Sequence, residues 1–199
     1  AKGEMIATAE SCTGGLITGT LTGVDGSSSV VDCGFVTYSN EAKHHLIGVG
    51  NDLLAEYGAV SEPVARAMCE GALDRAPNAT IAVSVTGIAG PGGGTDTKPV
   101  GLVHFGCTAK GRDTITTHTV FPGDRHTVRK STVLKAFALI EEMLAQVKDC
   151  DRAQKSPIWQ TAEANRLSAR AMVEADLSDR LDFQANTPEM EAIRSHYGI

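Results

Sequence analysis

Short apolar runs and helically spaced apolar residues alternate along the first 148 residues of the chain. Runs rich in β-branched residues predict buried strands at 5–9, 30–38 and 79–86, and a strand pair at 100–107 and 114–121. Apolar residues three or four apart predict helices that begin near residues 16, 40, 61 and 124, the last reaching about Val147. Plausible capping residues precede three of them: Asn40, Ser61 with Pro63 after it, and Asp124.

This order of elements predicts an α/β fold, a three-layer α/β/α sandwich with a mixed sheet. The sheet is predicted to be mixed because the strands within 100–121 are joined by a tight turn and so run antiparallel. We assign residues 1–148 to this domain. Residues 149–199 change in character: a polar linker precedes a rough helical stripe from Trp159 to Leu181. We expect a helical tail that packs on the core or on a second subunit. Separately, we expect the protein to be a homo-oligomer.

Composition and charge narrow the class of protein. The chain has 199 residues and a formal net charge of −6. Its longest basic run is Arg129-Lys130, which is unfavourable for nucleic-acid binding. The five cysteines contain no C-x-x-C pair, which indicates reduced intracellular thiols. No apolar stretch has the length of a membrane span, and no leader is visible. We therefore expect a cytoplasmic protein with no nucleic-acid or membrane partner.

The strongest chemical signal is TAESCTGG at residues 8–15. A strand that ends at Ser11 and turns through small residues into a helix places the hydroxyl at the carboxyl edge of a sheet, where open α/β folds bind ligands. The N–H groups of Cys12, Thr13 and Gly14 follow, and such groups can hold a phosphate or serve as an oxyanion hole beside a nucleophile. The alternative is that Ser11 only caps the helix and the glycines only pack it.

A serine nucleophile needs a base, and GFVTYSNEAK at residues 34–43 offers one. Tyr38 ends a predicted strand and Lys43 lies one turn into the next helix, so both can reach the edge where Ser11 stands. A lysine acts as a base only if its pKa is lowered, by burial or by a neighbouring cation. The alternative is that Lys43 is an ordinary solvated helix residue.

Two further segments can contact a ligand. The glycine-rich stretch TGIAGPGGGT, residues 86–95, follows a buried strand and is neither a Walker loop nor a dinucleotide fingerprint. It forms either a ligand lid or a flexible connection. Arg125 stands at the start of the long helix, where a guanidinium and free N–H groups can grip a phosphate. Alternatively, Asp124 and Arg125 are a cap and a surface charge.

The histidines show no metal-ligand spacing. His44 and His45 are adjacent, His104, His118 and His126 are dispersed, and no H-x-x-x-H pattern joins any of them. We expect no metal and no cofactor.

TAESCTGG, GFVTYSNEAK, YGAVSEPVARAM and TGIAGPGGGT followed by KPVG, in this order and spacing, resemble the C-terminal domain of the competence/damage-inducible protein CinA. The resemblance runs from about residue 3 to residue 147. It implies an α/β/α fold and metal-free hydrolysis of nicotinamide mononucleotide to nicotinate mononucleotide and ammonia, in salvage of pyridine nucleotides.

The resemblance also assigns residues. It implies Ser11 as nucleophile, Lys43 and Tyr38 as its proton-transfer partners, and Arg125 as a phosphate ligand. Substrate contacts are expected from two further sets of residues: Glu10, Cys12, Thr13 and Gly14 in the first turn, and Thr86, Gly87, Gly90 and Gly92 in the glycine-rich loop. The role of Glu10 stays open between orienting Lys43 and capping the turn.

Two departures from the family pattern and two rival functions remain. Family members usually have a helix before the first strand, and larger ones carry an N-terminal nucleotide-pyrophosphatase-like domain; we expect neither in this chain, which begins with Ala1-Lys2-Gly3. The tail after Cys150 matches nothing in the family.

The rivals are a nucleotide-binding or regulatory module without hydrolysis, and an amidohydrolase acting on another small amide.

Overall fold

Five strands form one mixed sheet in a computed structural model that describes residues 3–151, with backbone only for 147–151. The strands are β1 (Ile6–Glu10), β2 (Val31–Val36), β3 (Ile81–Gly87), β4 (Leu102–Ala109) and β5 (Ile115–Val120). The helices are α1 (Leu16–Thr22), α2 (Asn40–Ile47), α3 (Asn51–Tyr57), α4 (Glu62–Arg75) and α5 (Arg125–Asp151), with a 3₁₀ turn at Ser27–Ser29. Beyond Asp151, the linker and tail predicted within 149–199 lie outside the described residues.

The sheet order is β2-β1-β3-β4-β5. β1 is parallel to both β2 and β3, whereas β4 is antiparallel to β3 and to β5. The parallel strands therefore come from the α/β part of the chain, and the hairpin of β4 and β5 extends the sheet at one side. The mixed sheet predicted from the strand spacing is confirmed.

Alternate residues of β1 face different layers. Ala7 and Ala9 belong to a buried core cluster with residues of α2 and α4, among them Ile47 and Met68. Thr8 and Glu10 instead form hydrogen bonds to α1. Because successive side chains of a strand point to opposite faces, α1 covers the other face, and α5 contacts α1, β3 and β4 there. The result is the predicted α/β/α sandwich.

Several predicted details were wrong. The helix α3 was not predicted; its N-cap is Gly50, which offers no side-chain cap. Asn40 is the first residue of α2, and Ser39 is the cap, accepting a 3.0 Å bond from the N–H of Ala42. Ser61 precedes α4 but its hydroxyl donates to Gly58 O rather than capping the helix. Asp124 does cap α5, accepting from the N–H of Thr127 at 2.8 Å.

The strand directions bring distant segments to one edge of the sheet. β1, β2 and β3 are parallel, so the segments that follow them leave the sheet at the same edge. β5 is antiparallel to β4, which is antiparallel to β3, so the start of α5 follows at that edge as well. None of the helices within residues 3–151 combines the length and apolar character that a membrane span needs.

Candidate active site

Ser11 and Lys43 meet at this edge of the sheet. Ser11 directly follows β1, and Lys43 lies in the first turns of α2, after the chain has left β2. The Nζ atom of Lys43 lies 3.1 Å from Ser11 Oγ. Only 1% of the Lys43 side chain and 8% of Ser11 are exposed. A lysine amine and a serine hydroxyl are therefore in contact within the protein interior, 32 residues apart along the chain.

Burial changes the protonation of Lys43. Removal of the side chain from water lowers its pKa from 10.5 to about 8, and the nearby Cys12 thiol opposes that shift. With a pKa near 8, about a tenth of the molecules carry an uncharged Lys43 at pH 7. An ordinary exposed lysine would carry less than about a thousandth.

The surroundings of Nζ direct its lone pair. Nζ also lies 2.8 Å from Thr37 O and 3.2 Å from Tyr38 O, and backbone carbonyls can only accept hydrogen bonds. An uncharged amine has two N–H groups for these two carbonyls and one lone pair left. The remaining neighbour is Ser11 Oγ, so the lone pair of the uncharged amine faces the Ser11 hydroxyl.

Glu10 caps the helix α1, so its predicted substrate contact is wrong. Its side chain is fully buried. One carboxylate oxygen accepts from the N–H groups of Gly15 and Ile17, both at 3.0 Å, and from the hydroxyl of Thr13 at 2.7 Å. The other accepts from the N–H and hydroxyl of Thr18, both at 2.8 Å. Both carboxylate oxygens already accept hydrogen bonds, so neither is available to a substrate or to Lys43. These bonds also hold the turn after Ser11 in place.

The turn after Ser11 presents two N–H groups. Gly14 N–H donates to Ser11 O at 3.1 Å, which closes the turn. Ser11 N–H donates to Val85 O of β3. Within the described part of the chain, the N–H groups of Cys12 and Thr13 donate to no other residue, although the Cys12 N–H lies close to its own thiol. The predicted oxyanion hole at Cys12 to Gly14 therefore narrows to the two N–H groups of Cys12 and Thr13.

The structure does not bring the Tyr38 hydroxyl to Ser11. The Tyr38 side chain is 62% exposed, and its hydroxyl oxygen lies 3.4 Å from an Arg125 nitrogen. The contact of Tyr38 with Lys43 is made by its backbone carbonyl. Arg125 also donates to Gly90 O at 3.0 Å, so it joins the glycine-rich loop to the start of α5. The side chains of Tyr38 and Arg125 thus contact each other near the Ser11–Lys43 pair, and we call these two side chains the rim.

The four predicted loop positions divide into two groups. Thr86 is buried and its hydroxyl donates to Ala59 O at 2.7 Å, while a side chain at Gly87 would meet the backbone of β4, with Leu102 O at 2.7 Å. These two positions serve packing. Gly90 has φ +84° and its carbonyl faces Arg125, and Gly92 has open space around it. Gly90 and Gly92 are the positions where the loop can approach a ligand.

Arg129 is a site residue that the sequence analysis missed. It lies one helical turn after Arg125, is half-buried, and donates from Nη2 to Thr13 O at 2.8 Å. The four-residue spacing from Arg125 places both guanidiniums on one side of α5, and that spacing was the available signal. Among the described residues, no group of three His, Cys, Asp or Glu side chains is arranged to hold a metal ion.

The sequence profile of the CinA C-terminal domain matches residues 1–144. The chain belongs to this family. Among CinA-family structures, the competence/damage inducible protein CihA from Agrobacterium tumefaciens superposes with a TM-score of 0.69 at 48% identity, over 71% of this chain and 86% of that one. The resemblance inferred from the four motifs is confirmed.

Two relatives show how the family varies in size. The nicotinamide-nucleotide amidohydrolase PncC of Enterobacter agglomerans is 54% identical over 129 residues, which cover 65% of this chain and 78% of that protein. A CinA-like protein of Anaeromyxobacter sp. (strain Fw109-5) is 50% identical over 140 residues, which cover 70% of this chain and 34% of that protein. This chain therefore spans about a third of the length of such CinA-like relatives.

Proposed function

We propose that the chain hydrolyses the carboxamide of nicotinamide mononucleotide to nicotinate mononucleotide and ammonia, with Ser11 as nucleophile and Lys43 as base. The observation that carries the proposal is the buried Lys43 amine, with a pKa of about 8, at 3.1 Å from the Ser11 hydroxyl. The choice of substrate is supported by the relative named nicotinamide-nucleotide amidohydrolase. Such an activity would return the pyridine nucleotide released when NAD is consumed.

The first half of the reaction forms an ester. Uncharged Lys43 takes the proton of Ser11 as Oγ attacks the carboxamide carbon, and the carbonyl oxygen becomes an oxyanion. The N–H groups of Cys12 and Thr13 bind that oxyanion; each such donor contributes roughly 3 kcal/mol. Lys43 then passes its proton to the carboxamide nitrogen, the C–N bond breaks, and ammonia leaves the nicotinoyl ester on Ser11. A base placed in this way contributes a factor of about 10² to 10⁴.

The second half returns the enzyme to its starting state. Lys43, again uncharged, takes a proton from water as the water oxygen attacks the ester carbon, and the same N–H groups bind the second oxyanion. The ester C–O bond breaks and Ser11 recovers its proton from Lys43. The described contacts support direct proton transfer between Lys43 and Ser11, because the Tyr38 hydroxyl contacts Arg125 instead.

The rim above the pair is suited to the nucleotide part of the substrate. Arg125 is exposed at the first position of a 27-residue helix, where the helix dipole also favours an anion. Its contacts to Gly90 O and Tyr38 leave guanidinium N–H groups free for the 5′-phosphate. The loop from Gly87 to Gly94 would then lie over the ribose, with Gly90 and Gly92 closest to it.

One assay separates this proposal from its two rivals. Purified protein is incubated with nicotinamide mononucleotide, with and without a chelator, and ammonia is measured. The proposal requires ammonia release that the chelator does not reduce. Nucleotide binding without ammonia would favour a regulatory module, and ammonia release from other carboxamides but not from this nucleotide would favour a different amidohydrolase.

A further inference from the structure

The guanidinium of Arg129 holds the turn that carries the nucleophile. It is half-buried, and its Nη2 donates to Thr13 O, a neutral backbone carbonyl. Its Nε is buried and has no hydrogen-bond partner among the described residues. Burial lowers the pKa of Arg129, and the positive charge of the nearby Arg125 lowers it further. A charged group in this position is costly, so its position calls for a functional explanation.

The contact of Arg129 fixes one peptide group of the turn at both ends. The peptide between Thr13 and Gly14 donates from Gly14 N–H to Ser11 O, and its Thr13 O accepts from Arg129 at 2.8 Å and, at the longer distance of 3.4 Å, from Leu16 N–H. The preceding peptide carries the free Thr13 N–H. A peptide plane can turn about its flanking bonds, so fixing the plane at 13–14 limits the directions that the Thr13 N–H can take.

Arg129 and Arg125 are placed for different tasks. Arg125 is exposed and faces the loop carbonyl of Gly90, whereas Arg129 is directed at the turn itself and has its Nε shielded from solvent. A positive charge fixed beside this turn also favours negative charge on an oxygen bound there. We propose that Arg129 is a positioning residue that holds the Thr13 peptide so that the N–H groups of Cys12 and Thr13 bind the oxyanion, an inference that rests on the proposed function.

Steady-state kinetics with nicotinamide mononucleotide test this role. Arg129→Met is expected to lower kcat by about 10²-fold, because a small misplacement of oxyanion donors is costly, while KM changes by less than about threefold. Arg129→Lys can still donate to Thr13 O and is expected to recover part of kcat. Lys130→Met, which removes the neighbouring positive charge of the same helix, is the matched control and is expected to keep both constants.

A second measurement does not depend on the nucleotide. Ser11 Oγ attacks the phosphorus of a fluorophosphonate probe: the O–P bond forms, the P–F bond breaks as fluoride leaves, and Lys43 takes the hydroxyl proton. The phosphoryl oxygen occupies the oxyanion site. Its rate of labelling is expected to fall in Arg129→Met and to stay unchanged in Lys130→Met. Because the probe lacks the nucleotide, this measurement reports on the turn even if the wild-type chain does not hydrolyse nicotinamide mononucleotide, an outcome that would contradict the proposed function alone.

Four results would overturn the inference. If Arg129→Met raises KM strongly and keeps kcat, Arg129 is a phosphate ligand rather than a positioning residue. If Arg129→Met folds with wild-type secondary structure and labels at the wild-type rate, the turn is held without it. If Arg129→Met fails to fold, Arg129→Lys is used in its place. A folded Arg129→Lys variant that labels as slowly as Ser11→Ala would show that a hydrogen bond to Thr13 O does not restore the turn. A wild-type chain that neither labels with the probe nor releases ammonia would overturn both proposals.

Discussion

The amine of Lys43 lies 3.1 Å from the hydroxyl oxygen of Ser11, and its other two neighbours are the carbonyl oxygens of Thr37 and Tyr38. An ammonium in this place has an acceptor for each of its three protons, whereas the uncharged amine directs its lone pair at Ser11. In the proposed mechanism, the protonation state of Lys43 therefore decides whether Ser11 can be activated. The predictions below follow from this arrangement and from the groups that hold it.

Activity should depend on pH through Lys43. Because its pKa in the folded protein is lowered to about 8, the base is protonated and inactive at low pH and becomes available as pH rises through that value. We expect kcat/KM, which reports the pKa values of the free enzyme, to increase about tenfold per pH unit below pH 7 and to level off above about 8.5.

The matched variants are Lys43→Arg and Lys43→Ala. Arginine keeps a positive charge but does not deprotonate in proteins, and alanine has no group that can accept a proton. Both variants should therefore lose activity at every pH. A flat profile between pH 6 and 9 in the wild-type chain would show that Lys43 is not the base.

The phosphate contact of Arg125 can be tested with a substrate that lacks the phosphate. Arg125→Gln should raise KM for nicotinamide mononucleotide by about tenfold or more and lower kcat less, since phosphate binding contributes equally before and during the reaction. With nicotinamide riboside, the wild-type chain and Arg125→Gln should have the same kcat/KM. An equal loss on both substrates would assign Arg125 to some other part of the site.

Removal of the Glu10 carboxylate should destabilise the fold. Glu10→Ala leaves the buried N–H group of Ile17 and the partly buried N–H groups of Gly15 and Thr18 without this acceptor. We expect the free energy of unfolding, measured in urea, to fall by about 3 kcal/mol. Glu41, an exposed acid in the first turn of α2, is the control, and Glu41→Ala should cause no comparable loss. Equal effects of the two substitutions would mean that the bonds of Glu10 contribute little.

The elements that pack on the sheet were the ones that sequence patterns could predict. Val83 and Val85 belong to a run that is buried on both faces, so hydrophobicity and β-branching reveal the strand. The segment Asn51–Tyr57 has only seven residues, about two helical turns, and follows a glycine, so neither a sustained periodicity nor a side-chain cap marks α3. Its position depends on contacts with α2 and α4 that form only in the folded chain.

The candidate site also contains residues that the sequence could predict and residues that it could not. Ser11, Lys43 and Arg125 stand in recognisable motifs at strand or helix ends, and the sheet topology brings those ends together. The sequence left Glu10 open between orienting Lys43 and capping the turn, because half of its donors are backbone N–H groups five to eight residues later, which have no sequence signature. Arg129 looks like an ordinary helix arginine until Thr13 O is placed beside it.

The central claim is that Ser11 forms a covalent ester with the substrate, and rapid-quench mass spectrometry of the Ser11 peptide during turnover of nicotinamide mononucleotide tests it most directly. The account predicts a transient nicotinoyl-nucleotide adduct on this peptide in the wild-type chain. It also predicts that Ser11→Ala still binds the nucleotide but forms no adduct and releases no ammonia. Ammonia release by Ser11→Ala at close to the wild-type rate would contradict it.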